Sequence, residues 1–450
     1  MKKSLFIYFL MLLFTLGCAV KSTKNEQKTD VKQADPKIGH IDYEKYFTGQ
    51  TLRLDFQHAG NSTEENYFFN GMKREGEWAG STKALINPFG YGEQLFRIID
   101  DEDNIVIYQN NYCTLFNEWQ TTAEARETSR SYPESIIFPH PKRNFTIEIF
   151  ARSKKSKIFE KKFSYKANVN DHNIEPYTKR HECIDIHIGG KTKNCLDIVL
   201  LPDGFTKEEK EKFLTACKMW NEALFSYEPF TNNKGRINIR AVWAPSKDSG
   251  ISIPGKNEWK NTLLDSRFYT FGSERYQMTN NLQIVRDIAA SAPYETIFIL
   301  TNSDKYGGGG IYNFYGLGSA GKTGKTGEVY VHEFGHSLMG LGDEYVEKGN
   351  TVSEFYPLNK EPWEANLTTL VNFNNKWEKT IKKETPIPTI ANDSLLALPD
   401  NEWPIGVYEG GGYLEKGIYR PWPKCMMNQL YKFCPACCKA IEKYLDYICE

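Results

Sequence analysis

Apolar and polar positions along the chain fall into two regimes, after a start that belongs to neither. Met1-Lys2-Lys3 is basic, and an apolar run of about twelve residues from Leu5 to Leu16 follows. That run is too short to span a bilayer and has the layout of a cleaved signal peptide over residues 1–17. From Ala19 to about Gly39 the chain is rich in Lys, Thr, Gln and Asp with little to bury, which predicts a flexible tether over 18–39. Short alternating or β-branched runs come next: Thr51 to Phe56, Leu95 to Ile99, Asn104 to Tyr108 and Phe145 to Phe150. Turn clusters such as Gly60-Asn61-Ser62 and Asn87-Pro88-Phe89-Gly90 separate them, and helical periodicity is scarce, so residues 40–168 read as a β-sandwich.

A polar connector from Lys166 to Arg180 leads to the second regime, residues 175–450, where strands alternate with helices. Leu196 to Leu201 predicts a buried strand ending in Pro202-Asp203-Gly204, and Thr206 opens an amphipathic helix through about Leu224. Ile237 to Trp243 and Glu295 to Thr301 predict two further strands, and Thr279 to Ala290 a helix. The Gly- and Tyr-rich stretch from Gly307 to Gly316 suits an edge strand, with a turn or loop as the alternative. A last helix is predicted after it, capped by Thr326 with Glu328 in its first turn.

Charge narrows the function classes. Lys+Arg 56 against Asp+Glu 57 leaves a formal net charge of -1, which argues against a nucleic-acid partner. Tyr 26, Phe 27 and Trp 9 make the chain rich in rings, most of which belong in cores and strands. Leu16-Gly17-Cys18 resembles a lipobox, which predicts lipidation at Cys18 and attachment to a membrane through that anchor only. The expected location is the outer membrane or cell surface of a Gram-negative-type cell, with a periplasmic or secreted protein as the alternative. Beyond Cys18 nine cysteines remain, an odd number, and an exported protein favours disulfides that pin the C-terminal segment around Cys434-Pro435-Ala436-Cys437. His58 and His140 stand at no metal-ligand spacing and read as ordinary strand histidines.

The chemistry concentrates in His332-Glu333-Phe334-Gly335-His336. On a helix this spacing sets two imidazoles one turn apart on one face, where both reach a single Zn2+ ion, with Glu333 beside it as the base for a zinc-bound water. Val331, Phe334, Leu338 and Leu341 form a separate apolar stripe, so the histidines lie beside the buried face. A catalytic zinc takes three protein ligands and keeps one position open. No histidine follows His336, so the third ligand is expected to be a carboxylate. Asp343 comes three residues after Gly340, the turn-to-ligand spacing of the metzincin pattern with one residue added to the helix. Glu344 is the neighbouring alternative, and Glu354 and Glu364 are more distant ones. The order of elements is similar to the zincin arrangement, in which an edge strand before the helix pairs with extended substrate. Pro423-Lys424-Cys425-Met426-Met427 stands where a metzincin sets a methionine turn beneath its metal, so Met426 and Met427 are candidates for that floor. Tyr413 and Tyr431 are candidate hydrogen-bond donors to a tetrahedral oxyanion.

The run from His332 to Tyr345, with Pro386-Ile387-Pro388, Tyr408 to Tyr413, Gly417 to Pro421, Cys425-Met426-Met427 and Phe433 to Cys437, resembles the bacterial IgA-peptidase family of zinc metallopeptidases. The resemblance implies an N-terminal β-domain joined to a metzincin-like catalytic domain, with His332, His336 and the Asp343 position as ligands and Glu333 as base. It does not imply an immunoglobulin substrate. The expected fold class is therefore α+β: an N-terminal β-sandwich followed by a metzincin-like α/β zinc peptidase domain with a mixed sheet and an H-E-x-x-H helix. The expected function is a zinc-dependent endopeptidase acting on extracellular protein or glycoprotein substrates. The alternative is a surface lipoprotein that binds glycan or host glycoprotein and carries a vestigial zincin domain.

Overall fold

The computed structural model describes residues 36–154, 156–321, 324–347 and 355–449. The predicted signal peptide, nearly all of the tether, the lipidation candidate Cys18 and the alternative ligand Glu354 lie outside the described residues. The fold is α+β, with a β-rich N-terminal region and a mixed-sheet region.

The strands of the first region are β1 (Phe47–Gly60), β2 (Glu65–Glu77), β3 (Gln94–Asp100), β4 (Ile105–Tyr112), β5 (Arg130–Pro141), β6 (Phe145–Arg152) and β7 (Phe159–Ala167). They form two antiparallel sheets, ordered β2-β1-β5 and β4-β3-β6-β7. Alternate side chains of both sheets meet in one core, among them Leu52, Leu54 and Phe56 of β1 and Ile147 and Ile149 of β6.

The second region adds β8 (Glu182–Ile188), β9 (Leu196–Asp203), β10 (Ile237–Trp243), β11 (Thr296–Thr301), β12 (Gly308–Ile311) and β13 (Tyr315–Ser319). Their sheet runs β12-β13-β11-β9-β10-β8, with parallel pairs in the middle and an antiparallel pair at each edge. All eight residues of β9 are buried, as a central strand covered on both faces requires. Leu196, Ile198 and Leu200 enter the core formed with the helices Lys210–Leu224, Thr326–Met339 and Pro435–Ile448. Val199 and Leu201 point the other way, into a core shared with the helix Leu282–Ala289.

That second core also takes in Leu115, Phe116, Trp119 and Tyr132 of the N-terminal region, so the two regions share apolar packing. Residues Pro36–Glu450 form one compact unit. Among the described residues, no helix is long and apolar enough to cross a membrane. A small hairpin, β14 (Tyr408–Gly411) and β15 (Leu414–Arg420), lies between the mixed sheet and the C-terminal helix in sequence.

Three local expectations are revised. Gly307 to Gly316 forms a hairpin, β12 and β13, and not a single strand, because Asn313 adopts φ 54 and turns the chain. Thr326 is the first helical residue and not the cap; its hydroxyl donates to Gly321 O at 2.6 Å. All nine described cysteines are free thiols, where disulfides were expected.

Candidate functional site

The helix Thr326–Met339, hereafter the motif helix, lies against β12 and β13 because those strands carry glycine where it crosses. A Cβ built at Gly308 would stand 2.9 Å from Glu333 Cγ, and one at Gly310 would stand 2.3 Å from Glu333 O. The opposite side of the helix is the apolar stripe: Val331, Phe334 and Leu338 are buried in the core. His332 and His336 are thereby left on the flank, with side chains 12% and 15% exposed, which leaves them within reach of solvent.

The helix stops at Gly340, whose φ of 59 lies in the left-handed region. Its N–H donates to His336 O at 2.8 Å, and the Leu341 N–H donates to Gly335 O at 3.3 Å. This reversal carries Leu341 O to His336 Nδ1, 2.5 Å away. His332 Nδ1 is likewise bonded, at 3.0 Å, to the carbonyl oxygen of Met426. A carbonyl oxygen can only accept, so both Nδ1 atoms donate and both Nε2 lone pairs are free for a cation.

The chain then brings Asp343 to the same point. Asp343 Oδ1 lies 3.2 Å from His332 Nε2 and 3.3 Å from His336 Nε2. The two Nε2 atoms are 3.1 Å apart. Bonds of about 2.0–2.1 Å to a tetrahedral zinc would separate such donors by roughly 3.3 Å, so the set fits one ion. Tyr413 Oη donates to Asp343 Oδ2 at 2.5 Å, and Gly412 N–H donates to Asp343 O at 2.8 Å, so the tip of the β14–β15 hairpin holds the aspartate.

Electrostatics agree with a point of converging negative charge. Burial opposes a charge on His336, yet the Asp343 and Glu333 carboxylates outweigh it and lift His336 to about 9. Burial also opposes ionisation of Asp343, and the two imidazoles override it, holding the carboxyl well below its usual range. Glu333 is pushed up by burial. Without an ion, a proton on the imidazoles balances Asp343; a divalent cation would take its place.

Of the other candidates, Met426 and Met427 are fully buried beneath the helix, and a Cβ at Gly335 would stand 2.9 Å from Met427 Sδ. Tyr431 is 40% exposed and its hydroxyl donates to Asp400 Oδ2 at 2.5 Å, so the structure does not bring it to the histidines. Glu344 turns away to accept from Asn366 Nδ2 at 2.8 Å, and Glu364 Oε1 accepts from Tyr356 Oη at 3.2 Å. The outer edge of β12 is covered at Gly308, whose N–H donates to Arg275 O and whose carbonyl accepts from Gln277 N–H, so extended pairing with substrate is not open there.

One residue was not foreseen. Glu118, from the helix Leu115–Trp119 of the N-terminal region, accepts from Tyr276 Oη and interacts with the charges of His336 and Glu333. Burial pushes it up to about 7. Nothing local in Asn117-Glu118-Trp119 signals this, because Glu118 meets Tyr276 only through the packing of the two regions.

Two family models match the chain: IgA Peptidase M64 over residues 184–397, and Peptidase M64 N-terminus over residues 42–164. Together they cover most of it. The chain belongs to the M64 peptidase family. The expected resemblance is therefore met, and the catalytic activity of the family is peptide-bond hydrolysis. A search of curated proteins gave no match. The M64 peptidase match ends before Met426 and the C-terminal cysteines, and the N-terminal match includes Glu118.

Proposed function

We propose that this M64 peptidase is a zinc-dependent endopeptidase of extracellular proteins, with a metzincin-like site in which His332, His336 and Asp343 hold the ion and Glu333 is the general base. The observation that carries the reading is the convergence of three donor atoms, 3.1 to 3.3 Å apart, with both Nδ1 atoms engaged by backbone carbonyls. When bound, zinc would polarise the scissile carbonyl and make the attacking water more acidic.

The residues of the chain supply the rest. Glu333, raised by burial, takes the proton of the attacking water and returns it to the leaving amine. Tyr413 orients Asp343 through the hydroxyl bond at 2.5 Å, which supports a positioning role over direct donation to the oxyanion. Gly340 fixes the distance between helix and aspartate. The reading of a vestigial site on a glycan-binding surface protein is not favoured, because a decayed centre would not keep donors, base and backbone partners together.

Glu333→Gln tests the assignment. The variant is expected to retain metal and lose roughly 100-fold to 10,000-fold of its hydrolysis of a mixed peptide library, and a chelator is expected to abolish the wild-type rate. Wild-type-like cleavage by the metal-replete variant sinks the role of Glu333.

A further inference from the structure

A second constellation lies behind the first. Among the described residues, Glu344, Cys425, Cys434 and Cys437 each offer a ligand atom, all within 4.8 Å of one another, and all four residues are buried. The cysteines are 0% exposed, as is Glu344. Cys425 immediately precedes Met426, Glu344 immediately follows Asp343, and Cys434 and Cys437 open the helix Pro435–Ile448.

We propose that Cys425, Cys434, Cys437 and Glu344 bind a second, structural zinc ion. Bonds of about 2.3 Å to sulfur and about 2.0 Å to oxygen in a tetrahedron separate two sulfurs by roughly 3.8 Å, and a sulfur from an oxygen by roughly 3.5 Å. Here Cys425 Sγ and Cys437 Sγ are 3.8 Å apart, and Cys437 Sγ is 3.6 Å from Glu344 Oε1. Four protein donors leave no open position, which makes the site structural rather than catalytic, and three soft sulfurs select zinc over magnesium or calcium.

The surroundings suit thiolates. Cys434 N–H points at Cys425 Sγ and Cys437 N–H at Cys434 Sγ, each at 3.4 Å, and the positive end of a 14-residue helix faces the group. Arg420 interacts electrostatically with Glu344 and Cys425, and offsets part of the negative charge that three thiolates and a carboxylate leave around a divalent ion. Glu344 Oε2 is buried with no hydrogen-bond partner, a costly state for a carboxylate unless a cation lies beside it. A disulfide would join two of the sulfurs and leave the third, together with this oxygen, unanswered. The ion would also serve the first site: Glu344 N–H donates to Met427 O at 2.7 Å, so the cluster locks together the two segments that carry Asp343 and the backbone partner of His332.

The test uses the full chain with His332→Ala and His336→Ala, which dismantles the first centre and leaves every cysteine in place. After dialysis against zinc, elemental analysis is expected to give one ion per chain in this variant and two in the wild type. Cobalt loaded in its place is expected to give thiolate-to-metal charge-transfer absorption, and an organomercurial to release the ion. One ion with the thiolate signature in both proteins would uphold this site and instead overturn the first. A metal-free double variant, or non-reducing mass spectrometry that finds a disulfide among Cys425, Cys434 and Cys437, overturns the proposal. Since the cysteines stay intact, misfolding of a cysteine variant cannot blur the result.

Discussion

At the scale of single residues, His140 shows how a buried group without a partner ties stability to pH. It lies in β5, buried, with neither ring nitrogen hydrogen-bonded. Burial, with Arg74 nearby, lowers its pKa from 6.5 to about 4. Below pH 6.5 the unfolded chain binds a proton there that the folded chain refuses, so the stability associated with the neutral ring is complete above pH 6.5 and is lost as pH falls toward 4. His140→Leu is expected to remove about 2 kcal/mol of that acid-side loss, read as the urea midpoint at pH 7 and at pH 4.5. Superimposable pH profiles for variant and wild type would refute it. The residue scale is also where the sequence was most and least legible. His332, Glu333 and His336 declare themselves by spacing within one helix, and Asp343 follows from a turn and three residues. The direction in which Glu344 points has no local cause: it is set by Asn366 and by cysteines about eighty to ninety positions downstream.

At the scale of elements, strands with apolar faces were legible and polar edge strands were not. Leu196 to Leu201 and Ile237 to Trp243 read correctly as strands because continuous burial demands apolar runs. β7, with the sequence FEKKFSYKA, falls inside the predicted sandwich but does not stand out as a strand, because its exposed face carries charge, as an edge strand should. β5 contains Pro133, Pro139 and Pro141 and does not stand out as a strand, yet it lies at the edge of its sheet, where a missing N–H is tolerated. The motif helix depends in the same way on a single backbone position. A Cβ at Gly340 would meet Trp363 Cζ3 at 2.4 Å, and an alanine there would also adopt a left-handed φ. Gly340→Ala is expected to cost about 2 kcal/mol or more and to weaken the metal binding proposed for His336, whose Nδ1 partner Leu341 O sits on the turn. Urea unfolding together with competition against a zinc chelator measures both, and unchanged values in both would show that the turn does not set the site.

At the scale of the whole molecule, the question is whether the β-rich region and the mixed-sheet region behave as two bodies or one. The apolar contact is already shared, since Phe116 and Trp119 lie in the same core as Val285 and Ile299. A buried ionic network crosses the same boundary. Arg53 of β1 is 0% exposed; its Nε lies 2.8 Å from Asp55, its Nη1 3.1 Å from Glu75 and its Nη2 2.5 Å from Asp287 of the helix Leu282–Ala289. Tyr294 Oη donates to the other oxygen of Glu75 at 2.9 Å, and Lys73 reaches Asp287 at 3.0 Å. Removing one member of such a network leaves carboxylates buried without their cation, which costs more than the pair contributes when intact, typically about 3–5 kcal/mol. Arg53→Met is therefore expected to destabilise the full chain by about 3 kcal/mol or more. Because Glu75 and Asp287 belong to different regions, the loss is expected to lower a single unfolding transition seen alike by near-ultraviolet and far-ultraviolet circular dichroism. Two separated transitions, only one of them moved by Arg53→Met, would mean that the regions fold as independent domains and that Glu118 reaches the peptidase site by docking alone.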